Sequence, residues 1–256
     1  MQNTIIYEQP LNERVRTFLR LEHLFDVTHH HMQGGNEYDH RAAITGLLNI
    51  ADVLSRSDLR ADIIKELDRH LTTINSLSNN PNVDQPRLQS ITDNIRVLLD
   101  ELKKTSYQPG LNIRQDEFIT TIRQRSTIPG GSCNFDLPNY HYWLNKNTSE
   151  TKADLNFWIS DLKLIYSGLQ LVLDMIRNSA TPVQERAANG FFQKPIDSGS
   201  ACQLLRVMLP ADSKCYPEIS GGKHRFTIRF LEQPSTQSRP VQVQRDITFE
   251  LHCCIL

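Results

Sequence analysis

Nowhere among its 256 residues does the chain hold an uninterrupted apolar run of the roughly 18–20 residues that cross a bilayer. No membrane span is expected. The first ten residues, MQNTIIYEQP, lack a basic stretch and a long apolar run, so no secretory leader is expected. Cysteine is sparse: Cys133, Cys202, Cys215, Cys253 and Cys254 form an odd, scattered set, which suits reduced thiols in a cytoplasmic protein. An excess of one charge is also missing. Lys and Arg number 28 against 29 for Asp and Glu, a net charge of −1. A global polycation for nucleic acid is thereby unsupported, and any grip on anions has to come from local clustering.

Catalytic and cofactor signatures are lacking as well. There is no phosphate-binding loop and no dinucleotide fingerprint; Gly130-Gly131 and Gly221-Gly222 read as plain turns. Ser132 sits in GGSCN, but Asn134 stands where a nucleophile elbow needs its second glycine. His141 follows without a third member of a triad. His29, His30 and His31 are adjacent, and so are Cys253 and Cys254 beside His252; metal ligands on a helix want spacings of three or four, and zinc cysteines want a gap. No catalytic residue, cofactor or metal is expected.

What is present is periodicity. Hydrophobic residues make up 39% and charged ones 22%, the balance of an ordered protein. After a short β-prone segment, residues 4 to 8, Asn12 caps a helix with Leu11, Val15, Phe18, Leu21 and Phe25 on one stripe. A second helix runs from 41 to 54 through Ile44, Leu47, Leu48 and Ala51. Ser57 is the expected cap of a third, through Ile63, Leu67 and Ile74, which Asn79-Asn80-Pro81 ends. Asp84 caps a fourth, with Leu88, Ile95, Leu99 and Leu102 buried. Pro109-Gly110 precedes a helix ending near Arg125. The longest pattern, 151 to 179, places Leu155, Trp158, Ile159, Leu162, Ile165, Leu169, Leu173 and Ile176 on a 3.6 period, with Ser167-Gly168 as its weak point.

After Pro182 the period changes to two. Residues 202 to 209 are β-prone. Phe226, Ile228 and Phe230 alternate with Arg225, Thr227 and Arg229; Ile247, Phe249, Leu251 and Cys253 alternate with Thr248, Glu250 and His252. The expected architecture is α+β: a mainly helical domain over 1–182, with a short N-terminal strand, then an antiparallel β-domain over 183–256 with one buried face. Lys223, His224, Arg225 and Arg229 form the clearest cationic cluster. Arg225 and Arg229 share the solvent face about 13 Å apart at ~3.3 Å per residue. Arg206 is a candidate neighbour, and Glu250 a candidate to neutralise one of them.

The central stretch from Ile122 to Leu144, IRQRSTIPGGSCNFDLPNYHYWL, reads as a buried corner between helical hairpins, with Arg123 and Arg125 at its rim and Asp136 capping the next helix. This stretch resembles the central signature of the ZapD family of bacterial cell division factors. QPLNERVRTFLRLEHL (9–24), LRADIIKELDRH (59–70), LVLDMIRNSA (171–180), NGFFQ (189–193), YPEISGGKHRFTIRF (216–230) and FELHCC (249–254) resemble further family segments in order along the chain. The acidic Gln115-Asp116-Glu117 departs from the pattern. The resemblance implies a non-enzymatic homodimer in the cytoplasm, placed at the mid-cell division ring. It implies binding to the C-terminal tail of the tubulin-like division protein FtsZ, bundling of its filaments and lower GTP turnover. By position it assigns a charge-mediated role in tail binding to Arg20, Arg56, Arg225 and Arg229, which Lys223 joins as a member of the cationic cluster, and it places His141 near the dimer contact. A nucleic-acid-binding protein using the same basic face is the alternative.

Overall fold

A computed structural model of the chain describes residues 4–77, 84–196, 202–222 and 224–255. Along it run β1 (Thr4–Pro10), α1 (Glu13–Gln33), α2 (Glu37–Arg56), α3 (Leu59–Leu77), α4 (Gln85–Lys103), α5 (Leu111–Gln115), α6 (Glu117–Ser126), α7 (Pro138–Leu144), α8 (Thr148–Ser160) and α9 (Lys163–Arg177). The strands β2 (Val183–Ala187), β3 (Phe191–Pro195), β4 (Leu204–Pro210), β5 (Tyr216–Gly221), β6 (Arg225–Glu232), β7 (Val241–Gln242) and β8 (Ile247–Cys254) follow. The fold is α+β, and two compact units divide it: Leu19–Val172, and Met1–Phe18 with Leu173–Leu256.

In the helical unit the apolar stripes face inward as their spacing predicts. Ile44, Leu47, Ile63, Leu67, Ile95, Leu102, Leu155, Leu162 and Leu169 are all buried. Asp84 caps α4 through the Arg87 amide at 3.1 Å. The expected cap at Ser57 is instead Asp58, whose carboxylate accepts from the Ala61 amide at 3.1 Å. Aspartate wins because Ser57 is one residue too early for its side chain to reach the orphan amides of the first turn. The segment from Pro109 to Arg125 is two helices, since Asp116 ends α5 and caps α6 through the Ile119 amide at 3.0 Å. Asn79-Asn80-Pro81 lies outside the described residues.

The longest helical pattern is also two helices, and the break falls at Asp161 rather than at Ser167-Gly168. All eight stripe positions are buried, so periodicity alone carried no sign of an interruption. The cause lies on other elements. Tyr107 Oη donates to the Asp161 carbonyl at 2.9 Å, and the Asn112 amide donates to its carboxylate at 2.9 Å. The residue thus serves the N-terminus of α5 instead of continuing α8. Burial raises the Asp161 carboxyl above its ordinary pKa, while the backbone donors at Asn112, Gly110 and Leu111 oppose that rise.

A glycine sets the approach of α1 to α2. A Cβ on Gly46 falls 2.1 Å from Thr28 Oγ1, and Thr28 is fully buried with its hydroxyl donating to the Leu24 carbonyl at 2.6 Å. Thr28 is short and β-branched, so it has no flexible end to withdraw. Gly46→Ala gains about 1 kcal/mol of helix propensity and loses about 1–3 kcal/mol to overpacking. A net loss of up to about 2 kcal/mol is expected, read from the midpoint shift in urea. A Gly46→Ala protein more stable than the parent would show that the helices separate freely here.

The β unit differs from the expected single sheet. Among the described residues two four-stranded antiparallel sheets form, ordered β1-β4-β8-β2 and β3-β6-β5 with β7 on β6. One apolar core draws Leu205, Val207, Phe249 and Leu251 from the first and Phe226, Ile228 and Phe230 from the second. The N-terminal segment joins this core from the far end of the chain: β1 pairs β4 from Thr4↔Pro210 to Pro10↔Leu204. Pro10 is tolerated because β1 is an edge strand. The second face of the first sheet is covered near its end, which is why His252 and Cys254 are buried along with the alternating residues. There Glu8 accepts from Arg177 at 2.9 and 2.8 Å and from Arg206 at 2.9 Å. All three side chains are less than one-fifth exposed.

Candidate partner-binding surface

Strand β6 builds the surface that the sequence singles out. Phe226, Ile228 and Phe230 are buried, so Arg225, Thr227 and Arg229 face outward. Directly opposed residues of an antiparallel pair share a face. Phe191, Gln193 and Pro195 of β3, with Glu218 and Ser220 of β5, therefore extend it on either side.

The two arginines on this face differ. Arg229 lies opposite Glu218 in the register and donates to its carboxylate at 2.5 Å. Both side chains are about half exposed, where such a pair is worth only about 0.2–1 kcal/mol. Glu218, not Glu250, is the neutralising carboxylate. Glu250 belongs to β8 in the other sheet and contacts His252 at 2.8 Å. Arg225 stands beyond the end of β5 and opposite Pro195, so the ladder offers it no carboxylate. It is exposed and has no ion-pair partner among the described residues. Arg206 does not join the cluster: it lies in the first sheet and is held by Glu8. Lys223 lies outside the described residues. Phe191, which sequence reasoning missed as a surface residue, is 41% exposed and opposite Arg229. Its signal was the NGFFQ segment, where period-two alternation sends Phe191 and Phe192 to opposite faces.

In the helical unit, Arg20 is exposed on α1 and Arg56 is the exposed last residue of α2; neither has an ion-pair partner among the described residues. Arg56 lines a cleft of about 490 Å³ with Arg60, Tyr107 and Arg114. Arg60 is committed to the fold. Its guanidinium donates to the carbonyls of Leu102, Lys104 and Tyr107 at 2.7–2.9 Å, closing the C-terminus of α4. Arg114 donates to the Pro109 carbonyl at 2.8 Å.

The central signature is an anchored loop rather than a buried corner. From Arg123 to Gly130 every residue is exposed, Phe135 is 80% exposed, and Tyr142 beside His141 is 70% exposed. Arg123 pairs with Asp52, and Arg125 lies 3.9 Å from Asp136. Asp136 does not cap α7; its carboxylate accepts from the Cys133 thiol at 3.4 Å. The buried anchor is aromatic. Phe118, Tyr140, Trp143 and Trp158 contact one another with ring centroids 5.7–6.1 Å apart. Trp158 Nε1 donates to Asp116 at 2.8 Å, which gives this acidic residue a structural role. Arg41, unremarked in the sequence, lies 5.0 Å over the Tyr140 ring and donates to the Ser132 carbonyl at 3.1 Å. The glycine-rich turn is thereby tied to α2. His31, from the histidine run, is 3.1 Å from the Asp39 carboxylate.

No helix of the described residues is long and apolar enough to cross a membrane. Fold and surface together define an α+β protein with exposed arginines on each of its two units. The sequence model of ZapD, a cell division protein, matches residues 19–229. The chain is 40% identical over 256 residues to the cell division protein ZapD of Methylococcus capsulatus, covering 100% of both chains. It is 40% identical to that of Azoarcus sp. over 254 residues, covering 98% of this chain and 100% of the relative. With the Coxiella burnetii protein of the same name it shares 35% over 252 residues, 98% of each chain. The chain belongs to the ZapD family of cell division proteins.

Proposed function

We propose that this chain binds the C-terminal tail of FtsZ in the cytoplasm at the mid-cell division ring. As a homodimer it bundles FtsZ filaments and lowers their GTP turnover. The observation that carries this reading is Arg225, an exposed guanidinium that the β ladder leaves without a carboxylate, within a chain of the ZapD family. Arg20 and Arg56 are exposed in the same condition. Arg229 is a weaker contributor, because a tail carboxylate has to compete with Glu218. Lys223 is assigned by its place beside Arg225 in the sequence, and His141 to the dimer contact.

Each exposed arginine–carboxylate contact is worth only about 0.2–1 kcal/mol, so a single tail is held loosely. A two-fold dimer presents the site twice. Two tails tethered to polymers raise the avidity by roughly 10²–10⁴. Crosslinking then follows from geometry, with no bond made or broken.

Arg225→Glu is expected to weaken binding of an FtsZ tail peptide about three- to tenfold, measured by fluorescence anisotropy at moderate salt. Arg229→Gln is expected to have the smaller effect, since it removes a charge already shared with Glu218. Filament bundling by sedimentation should fade as salt rises, because exposed charges are screened beyond about 8 Å at physiological ionic strength. Parent-like tail affinity in Arg225→Glu, or bundling indifferent to salt, would overturn the charge-mediated reading. A gel shift at the same salt tests nucleic acid: binding there that exceeds tail binding would favour that partner.

A further inference from the structure

We propose that Cys202 and Cys253 are a paired thiol site at which hydrogen peroxide forms an intramolecular disulfide, Cys253 attacking and Cys202 resolving. Both side chains are half-buried beside the β core. They open on a pocket of about 170 Å³, which Lys194, Ile196, Phe226 and Ile255 also line. Strands β4 and β8 bring them together. Leu205 pairs with Cys253 and Leu204 with Cys254, and the Gln203 amide donates to the Cys254 carbonyl at 2.7 Å, which holds the residue after Cys202 against β8. The Cys202 thiol shares this pocket with the Cys253 thiol and donates to the Leu204 carbonyl at 3.7 Å.

The same geometry separates their roles. The neighbouring Cys202 thiol and the Lys194 ammonium lower the Cys253 pKa to about 7, against burial and Glu185. Lys194 shares its charge with Glu185 at 2.9 Å. The Cys202 thiol is pushed up by the neighbouring Cys253 and by burial. Cys254 is no rival despite its adjacency. It projects from the opposite face of β8, is fully buried near the Arg177 carbonyl at 3.8 Å, and has its thiol raised to about 11 by burial. Cys133 lies in the helical unit and donates to Asp136.

The Cys253 thiolate attacks one peroxide oxygen and breaks the O–O bond, becoming a sulfenic acid as hydroxide leaves. Cys202 gives its proton to that hydroxide, forming water. Its thiolate then attacks the sulfenic sulfur; the S–S bond forms, the S–O bond breaks, and the oxygen leaves as hydroxide, which takes back from solvent the proton Cys253 released on ionising and becomes the second water. Two thiols are oxidised by two electrons and one peroxide becomes two waters. The site needs no partner, so it stands apart from the proposed tail binding.

The test treats the full-length chain at neutral pH with stoichiometric hydrogen peroxide and maps its peptides without reduction. A Cys202–Cys253 cross-link is expected, with loss of two hydrogens from the intact mass and reversal by dithiothreitol. In Cys202→Ser, dimedone should trap a sulfenic acid at Cys253; Cys133→Ser should behave as the parent. The serine side chains are close in size, and circular dichroism checks that both variants fold. Oxidation of Cys133 ahead of Cys253 overturns the proposal. So does Cys202 oxidising at the parental rate in Cys253→Ser, or a dimedone adduct at Cys253 of the parent with no cross-link.

Discussion

Replacing Trp143 by alanine is expected to lower the unfolding free energy by about 3–5 kcal/mol, the range for a large buried aromatic. The indole is 4% exposed, and its ring meets His40, Phe118, Tyr140 and Trp158 at centroid distances of 5.7–6.1 Å. Its Nε1 donates to Asp154 at 2.8 Å. Alanine leaves a cavity that neighbours on four different helices have to close, and those neighbours are large rings in a contact network. Their collapse is limited because two of them are tied elsewhere: Trp158 to Asp116, and Tyr140 beneath Arg41. Trp143→Phe keeps much of the volume and loses the N–H donor, so a smaller cost of about 1–3 kcal/mol is expected. Urea unfolding followed by far-UV circular dichroism measures both. A cost below about 1 kcal/mol for alanine would mean that the rings are not what anchors the central signature.

Acidification is the second large effect. His70 is fully buried on α3, and burial lowers its pKa to about 4, with Arg69 adding to the shift and Glu66 opposing it. The unfolded chain has an ordinary histidine near 6.5. At neutral pH both states hold the ring neutral, and it adds no pH dependence. Below about 6.5 the unfolded state takes up the proton first, so stability falls as pH drops and levels out only below about 4. The difference of roughly 2.5 units sets the loss at about 3 kcal/mol. His29 and His40 are also lowered, each chiefly by burial, and contribute in the same direction. The slope of unfolding free energy against pH, compared between the parent and His70→Gln, isolates the His70 part. Equal slopes would place a charged His70 inside the fold.

Sequence alone sufficed where one element decides its own structure. The caps at Asn12 and Asp84 are local, because a side chain two or three residues from an orphan amide needs no outside partner. The apolar stripe of α9 and the alternation of β6 are equally local. It failed where a distant residue competes. Asp161 breaks a continuous apolar stripe because Tyr107 and the Asn112 amide draw its oxygens away. Asp136 resembles a cap and instead accepts from Cys133. The central signature was recognisable as a sequence, but its exposure was not, since most of its contacts run through Arg41 and the ring cluster.

The cationic residues follow the same division. Alternation alone put Arg225 and Arg229 on one outward face of β6, because successive side chains of a strand point to opposite sides. Which of the two keeps its charge available was decided by register: the ladder sets Glu218 across from Arg229 and runs out before it reaches Arg225. For Arg206 the deciding residue is Glu8, almost two hundred positions away and delivered by an N-terminal edge strand. Amino-acid order by itself determined the helical and extended segments, their inward faces and the family, since each is written in short-range periodicity or in contiguous motifs. Tertiary structure alone decided which thiols share a pocket and which arginines are neutralised, because both depend on distances that only the folded chain brings within a few ångströms.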